Sequence, residues 1–175
     1  MPGLKEVRNR IVSVRSTQQI TNAMKMVAAS KLRRAQASIV KLRPYAAKMR
    51  DILQNLSASI ENSSNSVFSQ ARPAGKVMLV VIASNRGLCG AFNSNVIRKT
   101  LGLLDTTYRQ QHSQGNVGII VMGRKATEFF RKRNYNVIES HDELFDQLTF
   151  ANVSGLAERL MKGFENKEFD RIDLI

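Results

Sequence analysis

Residues able to do chemistry are concentrated in one short stretch from Ser84 to Asn93, which reads Ser-Asn-Arg-Gly-Leu-Cys-Gly-Ala-Phe-Asn. The stretch follows an apolar run and precedes a predicted helix, where a nucleotide-binding α/β domain places its phosphate loop. Its two glycines, Gly87 and Gly90, lack the third glycine of a dinucleotide fingerprint and the Gly-Lys-Ser/Thr of a P-loop. We therefore interpret Gly87 and Gly90 as a structural turn, and the sequence predicts no cofactor.

The other reactive side chains do not assemble into a catalytic set. Cys89 has no histidine near it in sequence, so a small structural thiol is the simpler interpretation, and a single cysteine excludes an internal disulfide. His112 and His141 lack the spacing of metal ligands. A solvated loop or a helix cap explains the clustered acids Asp142, Glu143 and Asp146. The sequence thus predicts neither a catalytic nor a metal site.

Strand and helix patterns alternate around this stretch. Continuous apolar runs rich in branched side chains predict strands buried on both faces, and apolar residues at helical spacing predict the helices between them. The predicted strands cover residues 76–83, 117–122, 135–139 and those from Arg171, and the predicted helices cover 93–111, 125–133 and a segment from Asn152. This order predicts an α/β, Rossmann-like domain with right-handed crossovers and a mostly parallel sheet.

A linker separates this domain from what precedes it, because residues 61–75 are rich in Ser and Asn and end in Pro-Ala-Gly. The predicted organisation is a long helix over residues 1–61, a linker over 62–75 and an α/β domain over 76–175. The sequence stops at Ile175 with its last strand barely begun, which indicates a fragment of a longer protein.

The first sixty residues follow a seven-residue frame. With Leu4 as position a, fourteen of the seventeen a and d positions up to Ile60 are apolar, and between Gly3 and Pro44 there is neither Gly nor Pro. A seam sustained over so many heptads predicts one long coiled-coil helix, roughly 85 Å at 1.5 Å per residue, with a kink and not an end at Pro44. Its seam residues are Leu4, Val7, Ile11, Val14, Leu32, Ile39, Leu42, Met49, Leu53 and Leu56.

The seam fails once, where Gln18, Thr21 and Lys25 occupy successive a and d positions. A local stutter in the coiled coil explains this break. A change of partner along the helix explains it equally well, and the flexible Met24 and Met26 would suit a surface that packs against more than one neighbour. The pattern leaves both interpretations open.

Most of the net positive charge of the chain lies along this helix, as a basic stripe. The chain carries a net charge of +13, and residues 1–50 hold 12 Lys and Arg against one acid, Glu6. Such a stripe binds phosphate non-specifically through counterion release, although Tyr45 is the one aromatic residue of the helix that could stack on bases. An acidic protein surface is an equally good counterpart. The charge alone leaves nucleic acid and acidic protein as equal alternatives.

Neither a membrane span nor a signal peptide is predicted. There is no run of 18 apolar residues, and the N-terminus, Met-Pro-Gly-Leu-Lys-Glu, has no hydrophobic core. A cytoplasmic protein, soluble or peripheral to a membrane, fits this pattern best.

Three stretches closely resemble the gamma subunits of F-type ATP synthases, namely Ile20–Gln36, Arg43–Ala46 and Ser84–Asn93. The resemblance extends from about Gly3 to the end of the chain. It implies a central rotor shaft that couples proton-driven rotation to ATP synthesis at a ring of alternating alpha and beta subunits. A gamma subunit has no catalytic site of its own, and the long C-terminal helix with which its N-terminal helix pairs is absent from these 175 residues.

The resemblance also implies partners. Besides the alpha and beta subunits these are the epsilon subunit and the membrane ring of c subunits, with no direct contact to nucleic acid. Contact with the acidic levers of the beta subunits would fall on Met24, Lys25, Lys31, Arg33 and Arg34. The implied location is peripheral, on the cytoplasmic face of the bacterial inner membrane.

Two other classes of protein remain compatible with the residues alone. One is a nucleotide-binding α/β domain with a basic helical oligomerisation stalk, which ATP or NAD would stabilise. The other is a basic coiled-coil protein that binds nucleic acid with a steep salt dependence.

Overall fold

The computed structural model describes residues 3–60, 67–69, 72–146 and 148–175. The chain divides into two compact units, residues 1–64 and residues 65–175. The first unit is helical and the second is an α/β domain, as the sequence predicts. Each unit is described by itself.

One helix makes up the described part of the first unit. Helix α1 spans Leu4–Ile60, 57 residues, and confirms the predicted long helix. Pro44 lies inside it, so the proline does not end the helix. In the described parts of the chain, no helix combines the length and the apolar character needed to cross a membrane.

A four-stranded parallel sheet forms the centre of the second unit. The strands are β1 (Val77–Ile82), β2 (Val117–Met122), β3 (Val137–Ser140) and β4 (Arg171–Leu174), and their order across the sheet is β3-β2-β1-β4. Strand β1 pairs in parallel with both β2 and β4, and β2 pairs in parallel with β3. The predicted strand over residues 117–122 is confirmed to the residue.

Helices cover both faces of the sheet. They are α2 (Phe92–Asp105), α3 (Arg109–Ser113), α4 (Arg124–Lys132) and α5 (Phe150–Glu165). On one face, Leu104 of α2 and Phe130 of α4 pack in a core with Leu79 of β1. On the other face, Leu156 of α5 packs with Val80 of β1. Strand β1 is therefore buried on both faces, as its continuous apolar run predicts.

The helix predicted over residues 93–111 is wrong as a single element. Helix α2 ends at Asp105, and α3 begins at Arg109 after a turn. Within the turn Tyr108 is only 2% exposed, and its hydroxyl donates a hydrogen bond to Asp173 Oδ2 at 2.5 Å. The helical path is interrupted because this phenol is directed into the core and onto β4.

Smaller differences also have local causes. The predicted strand over 135–139 is shifted to Val137–Ser140, because Tyr135 packs edge-on against Phe130 with ring centroids 5.5 Å apart. Helix α5 begins at Phe150 instead of Asn152, since Thr149 Oγ1 accepts a hydrogen bond from Asn152 N at 3.3 Å and caps the helix.

The region of the predicted linker contains residues that belong to the second unit. A 3-10 turn at Val67–Ser69 brings the ring of Phe68 onto that of Phe164, with centroids 5.8 Å apart. Of the predicted linker, residues 62–66, 70 and 71 lie outside the described residues. The boundaries of the predicted linker stay a prediction.

Two glycines of α5 differ sharply in their surroundings. A Cβ atom added at Gly163 would lie 2.5 Å from Cζ of Phe169, whose ring is 3% exposed, whereas a Cβ at Gly155 would meet nothing within 4 Å. Gly163 is therefore required by close packing, and Gly155 is not.

We predict that Gly163→Ala lowers the free energy of unfolding by about 1–3 kcal/mol, because the added methyl group overpacks the core at Phe169. The matched control, Gly155→Ala in the same helix, should raise it by up to about 1 kcal/mol through helix propensity. Urea unfolding followed by circular dichroism measures both. Equal stabilisation by the two substitutions would contradict the packing described here.

Tyr108 gives the second unit a specific response to high pH. Burial, followed by the hydrogen bond to Asp173 and the charge of that carboxylate, raises the pKa of Tyr108 to about 12. An unfolded tyrosine loses its proton near pH 10. The stabilisation is therefore complete below about pH 10 and is lost as the pH rises towards 12, because only the unfolded state has released the proton.

Between pH 10 and 12 the free energy of unfolding should fall by about 1.4 kcal/mol per pH unit in the unmodified protein. We predict that Tyr108→Phe removes this fall. At neutral pH the same substitution should cost about 1–3 kcal/mol, because Asp173 loses a donor. Chemical unfolding at several pH values measures both effects. Tyr45→Phe, on the exposed surface of α1, is the control, and an unchanged slope in Tyr108→Phe would refute the assignment.

Candidate partner-contact surface

Helix α1 presents a long exposed apolar stripe, interrupted at Gln18, Thr21 and Lys25. Every side chain described between Leu4 and Leu56 is exposed. The exposed fraction of the ten predicted seam residues ranges from 41 to 82% across Leu4, Val7, Ile11, Val14, Leu32, Ile39, Leu42, Met49, Leu53 and Leu56. An exposed apolar stripe of this length is typical of a surface that another protein segment covers.

The five predicted lever contacts do not form one patch. At 3.6 residues per turn, Lys25 lies within the seam, and Met24 and Lys31 lie on one side of it. Arg33 lies on the other side, and Arg34 lies on the face opposite the seam. The five side chains therefore surround the helix over an axial distance of about 15 Å. This distribution suits partners that enclose the helix better than a single flat partner.

The break in the seam carries its own hydrogen bonds. Thr17 Oγ1 donates to Ser13 O at 3.0 Å, and Thr21 Oγ1 donates to Thr17 O at 2.8 Å. Because its hydroxyl is satisfied within the helix, Thr21 can face a helix partner without leaving an unpaired polar group. At Thr21, the break in the seam is therefore compatible with continued packing of α1 against a partner helix.

The positive charge of α1 is not neutralised within the helix. In its described part, none of the Lys and Arg side chains lies within 4.0 Å of a carboxylate, whereas the ion pairs found in the chain lie in the second unit. Cations without intramolecular partners attract anionic surfaces and respond to salt. The helix thus combines an uncovered apolar stripe with free positive charge.

The loop from Ser84 to Ala91, between β1 and α2, is closed by its own hydrogen bonds. Ser84 N donates to Asn93 Oδ1 at 3.0 Å, and Ser84 Oγ donates to Arg86 O at 2.5 Å. The Ser84 amide is thus already paired inside the protein and does not face outward as in a phosphate loop. Gly90 has φ of +61°, in the left-handed region that favours glycine, while Gly87 is exposed outside that region.

Asn85 links three loops at the carboxyl edge of the sheet. Its Oδ1 accepts a hydrogen bond from Arg124 N at 2.9 Å, and its Nδ2 donates to Asp142 O at 2.8 Å. These loops can meet because Gly123, with φ of +113°, approaches Ala83 so closely that a Cβ would lie 2.2 Å from the carbonyl oxygen. Sequence reasoning missed both residues, although a glycine and an asparagine that closely follow buried strands are a usable signal.

Leu88 is the most exposed apolar side chain of this edge. It has φ of +61° and is fully exposed. The left-handed region is disfavoured for leucine, so the closed loop holds an apolar side chain in solvent at some cost in strain. Sequence reasoning also missed this residue.

The remaining reactive residues are dispersed. Cys89 is exposed with Sγ 3.8 Å from Ser84 Oγ, and the ring of His112 stacks on that of Tyr135. His141 lies between two carboxylates, 3.1 Å from Glu139 and 3.5 Å from Glu143. No group of three or more His, Cys, Asp and Glu side chains in the described ranges could hold a metal ion.

Asp142 departs from the solvated loop that the sequence suggests. Its carboxylate is half-buried and accepts a hydrogen bond from Thr127 Oγ1 at 2.8 Å. It also begins a 3-10 turn that ends at Phe145. The residue therefore fastens β3 and its following loop to α4, a structural role that the charge pattern alone did not reveal.

Comparison with known proteins places this architecture in a family. A family model described as ATP synthase matches residues 3–175. The ATP synthase gamma chain of Flavobacterium johnsoniae is 47% identical and that of Cytophaga hutchinsonii 43% identical, each over 100% of this chain and 59% of the relative. The chain thus spans about three fifths of the length of these relatives. With a family model that matches residues 3–175 and relatives of this similarity, the chain belongs to the family of ATP synthase gamma chains.

Proposed function

We propose that this chain is part of the central rotor shaft of a proton-translocating F-type ATP synthase and couples proton-driven rotation to ATP synthesis. The observation that carries the proposal is α1, which exposes a long apolar seam and unpaired positive charge in a chain of the gamma family. Such a helix acts through its position inside other proteins and needs no chemistry of its own.

The apolar seam and the charged faces of α1 would contact different partners. In the proposed shaft, a long C-terminal helix of the complete subunit covers the apolar seam as an antiparallel coiled coil. The charged faces remain outward, where the ring of alpha and beta subunits encloses them. Met24, Lys31, Arg33 and Arg34 then contact the acidic levers of the beta subunits in turn, because they surround the helix. Lys25 contacts the levers where the break at Gln18, Thr21 and Lys25 interrupts the covered seam.

The coupling is mechanical and positional. A stiff element that takes discrete orientations links remote sites by favouring one state of each neighbour at a time. The shaft would thereby change the nucleotide sites of the beta subunits in sequence while remaining non-catalytic. The α/β unit would contact the epsilon subunit and the ring of c subunits, and the protein would be peripheral on the cytoplasmic face of the bacterial inner membrane.

A nucleotide-binding function of the α/β unit finds less support. The Ser84 amide, which a phosphate loop would direct at its ligand, is already bonded to Asn93 Oδ1 at 3.0 Å. A melting temperature of the chain that rises with ATP or NAD would favour this alternative. Co-purification of the full-length protein with alpha and beta subunits would favour the shaft.

We predict that Arg33→Ala with Arg34→Ala in the full-length subunit lowers the rate of coupled ATP synthesis by about two- to fivefold, since exposed ion pairs contribute about 0–1 kcal/mol each. The loss should shrink at high salt, which screens the same contacts in the unmodified complex. Synthesis by assembled complexes in proton-energised vesicles is the measurement.

The matched control is Arg8→Ala with Arg10→Ala, which removes the same charge from the same helix outside the proposed lever zone. It should leave the rate within about twofold of the unmodified complex. Equal rates for both double substitutions would remove Arg33 and Arg34 from the proposed contact.

A further inference from the structure

The chain enters the α/β unit through a segment that is fixed onto α5. The guanidinium carbon of Arg72 lies 3.9 Å from the centroid of the Phe164 ring, and Arg72 Nη2 donates to Phe164 O at 2.8 Å. Phe68 stacks on the same ring, with centroids 5.8 Å apart and planes 19° from parallel. We call these three residues the Phe164 stack.

Arg72 is held in an unusual way for a buried cation. Its Nε and Nη1 atoms are buried, and neither has a hydrogen-bond partner in the part of the chain that the structure describes. Unpaired buried donors are costly, so the contact is maintained by the aromatic face and one carbonyl oxygen alone. A planar guanidinium stacks flat on the ring while it donates to the carbonyl oxygen, a geometry that lysine does not reproduce.

The segment is fastened again immediately before β1. Gln111 Nε2 donates to Ala74 O at 2.7 Å. Lys76 N donates to Asp170 Oδ2 at 2.9 Å, and Lys76 O accepts from Asp170 N at 2.8 Å. Of the contacts made by the described residues between α1 and β1, the Phe164 stack is therefore the one nearest to α1 along the chain.

We propose that Arg72 and Phe164 are positioning residues of the rotor: the Phe164 stack holds Phe68 and Arg72, which lie between α1 and β1 in the chain, on α5, and this anchor supports the transfer of rotation from the α/β unit to α1. The inference rests on the proposed function. It assigns to these side chains a part in transmitting torque in addition to their part in stability.

The chain contains a matched control for the central contact. Arg133 lies over the ring of Phe129 with its guanidinium carbon 3.8 Å from the centroid, at the end of α4. Arg133→Ala therefore removes the same kind of cation and ring contact away from the segment that follows α1. Arg133 is exposed and Arg72 is half-buried, so Arg133→Ala controls for the kind of contact and not for its burial.

The first test measures the anchor in the isolated chain by hydrogen exchange of a peptide covering residues 67–76. Arg72→Ala should accelerate its exchange about tenfold or more, because a desolvated cation–π contact and a hydrogen bond are lost. Arg72→Lys should behave like Arg72→Ala, while Arg133→Ala should leave this peptide unchanged. Unchanged exchange in Arg72→Ala would overturn the proposal.

The second test measures coupling in the assembled synthase with the full-length subunit. The ratio of ATP-driven proton pumping to ATP hydrolysis should fall at least twofold in Arg72→Ala and stay unchanged in Arg133→Ala. An unchanged ratio in Arg72→Ala overturns the proposal even if exchange is faster. Failure of the unmodified subunit to assemble with alpha and beta subunits would overturn the proposed function instead, and the exchange experiment would still decide whether the anchor exists.

Discussion

Ten apolar side chains exposed along one helix are the constraint on which the rest of the molecule depends. Apolar surface left in water costs about 25 cal/mol per Å², so a stripe of this length is unfavourable unless another protein segment covers it. Helix α1 pairs its backbone groups within the helix, but most of the stability of a helix in a protein comes from packing of its apolar face, which is exposed here. The α/β unit, in contrast, has a buried core on each face of the sheet.

The distribution of charge follows from the same constraint. An apolar seam fixes which face of a helix is covered, and it leaves the remaining faces to interact with whatever surrounds the pair. In α1 those faces carry Lys and Arg almost without acids, and the described helix offers them no internal partner. Attraction of this kind is long-ranged and tolerant of geometry, which suits a surface that must meet several neighbours in succession.

Most helices and strands could be predicted because their patterns lie within a few neighbouring residues. Features that depend on contacts between residues far apart in sequence could not be predicted. The heptads of α1 and the apolar runs of β1 and β2 are readable because their periods lie within a few residues. The break at Tyr108 depends on Asp173, and the role of Asn85 depends on Asp142, so neither is visible in a local window. The long helix was therefore predictable from sequence, whereas the linked loops at the edge of the sheet and the Phe164 stack were not.

Asn85 connects the loops that follow three successive strands through one side-chain amide and the backbone groups it contacts. These hydrogen bonds restrict changes in the length of the three loops during evolution. An insertion in any one loop would displace the side chain of Asn85 or one of the backbone groups that it contacts. Related chains should therefore vary in length on the opposite, amino edge of the sheet and remain nearly constant in length at this one. The carboxyl edge of the sheet, where Leu88 is exposed, should therefore tolerate changes in loop length least.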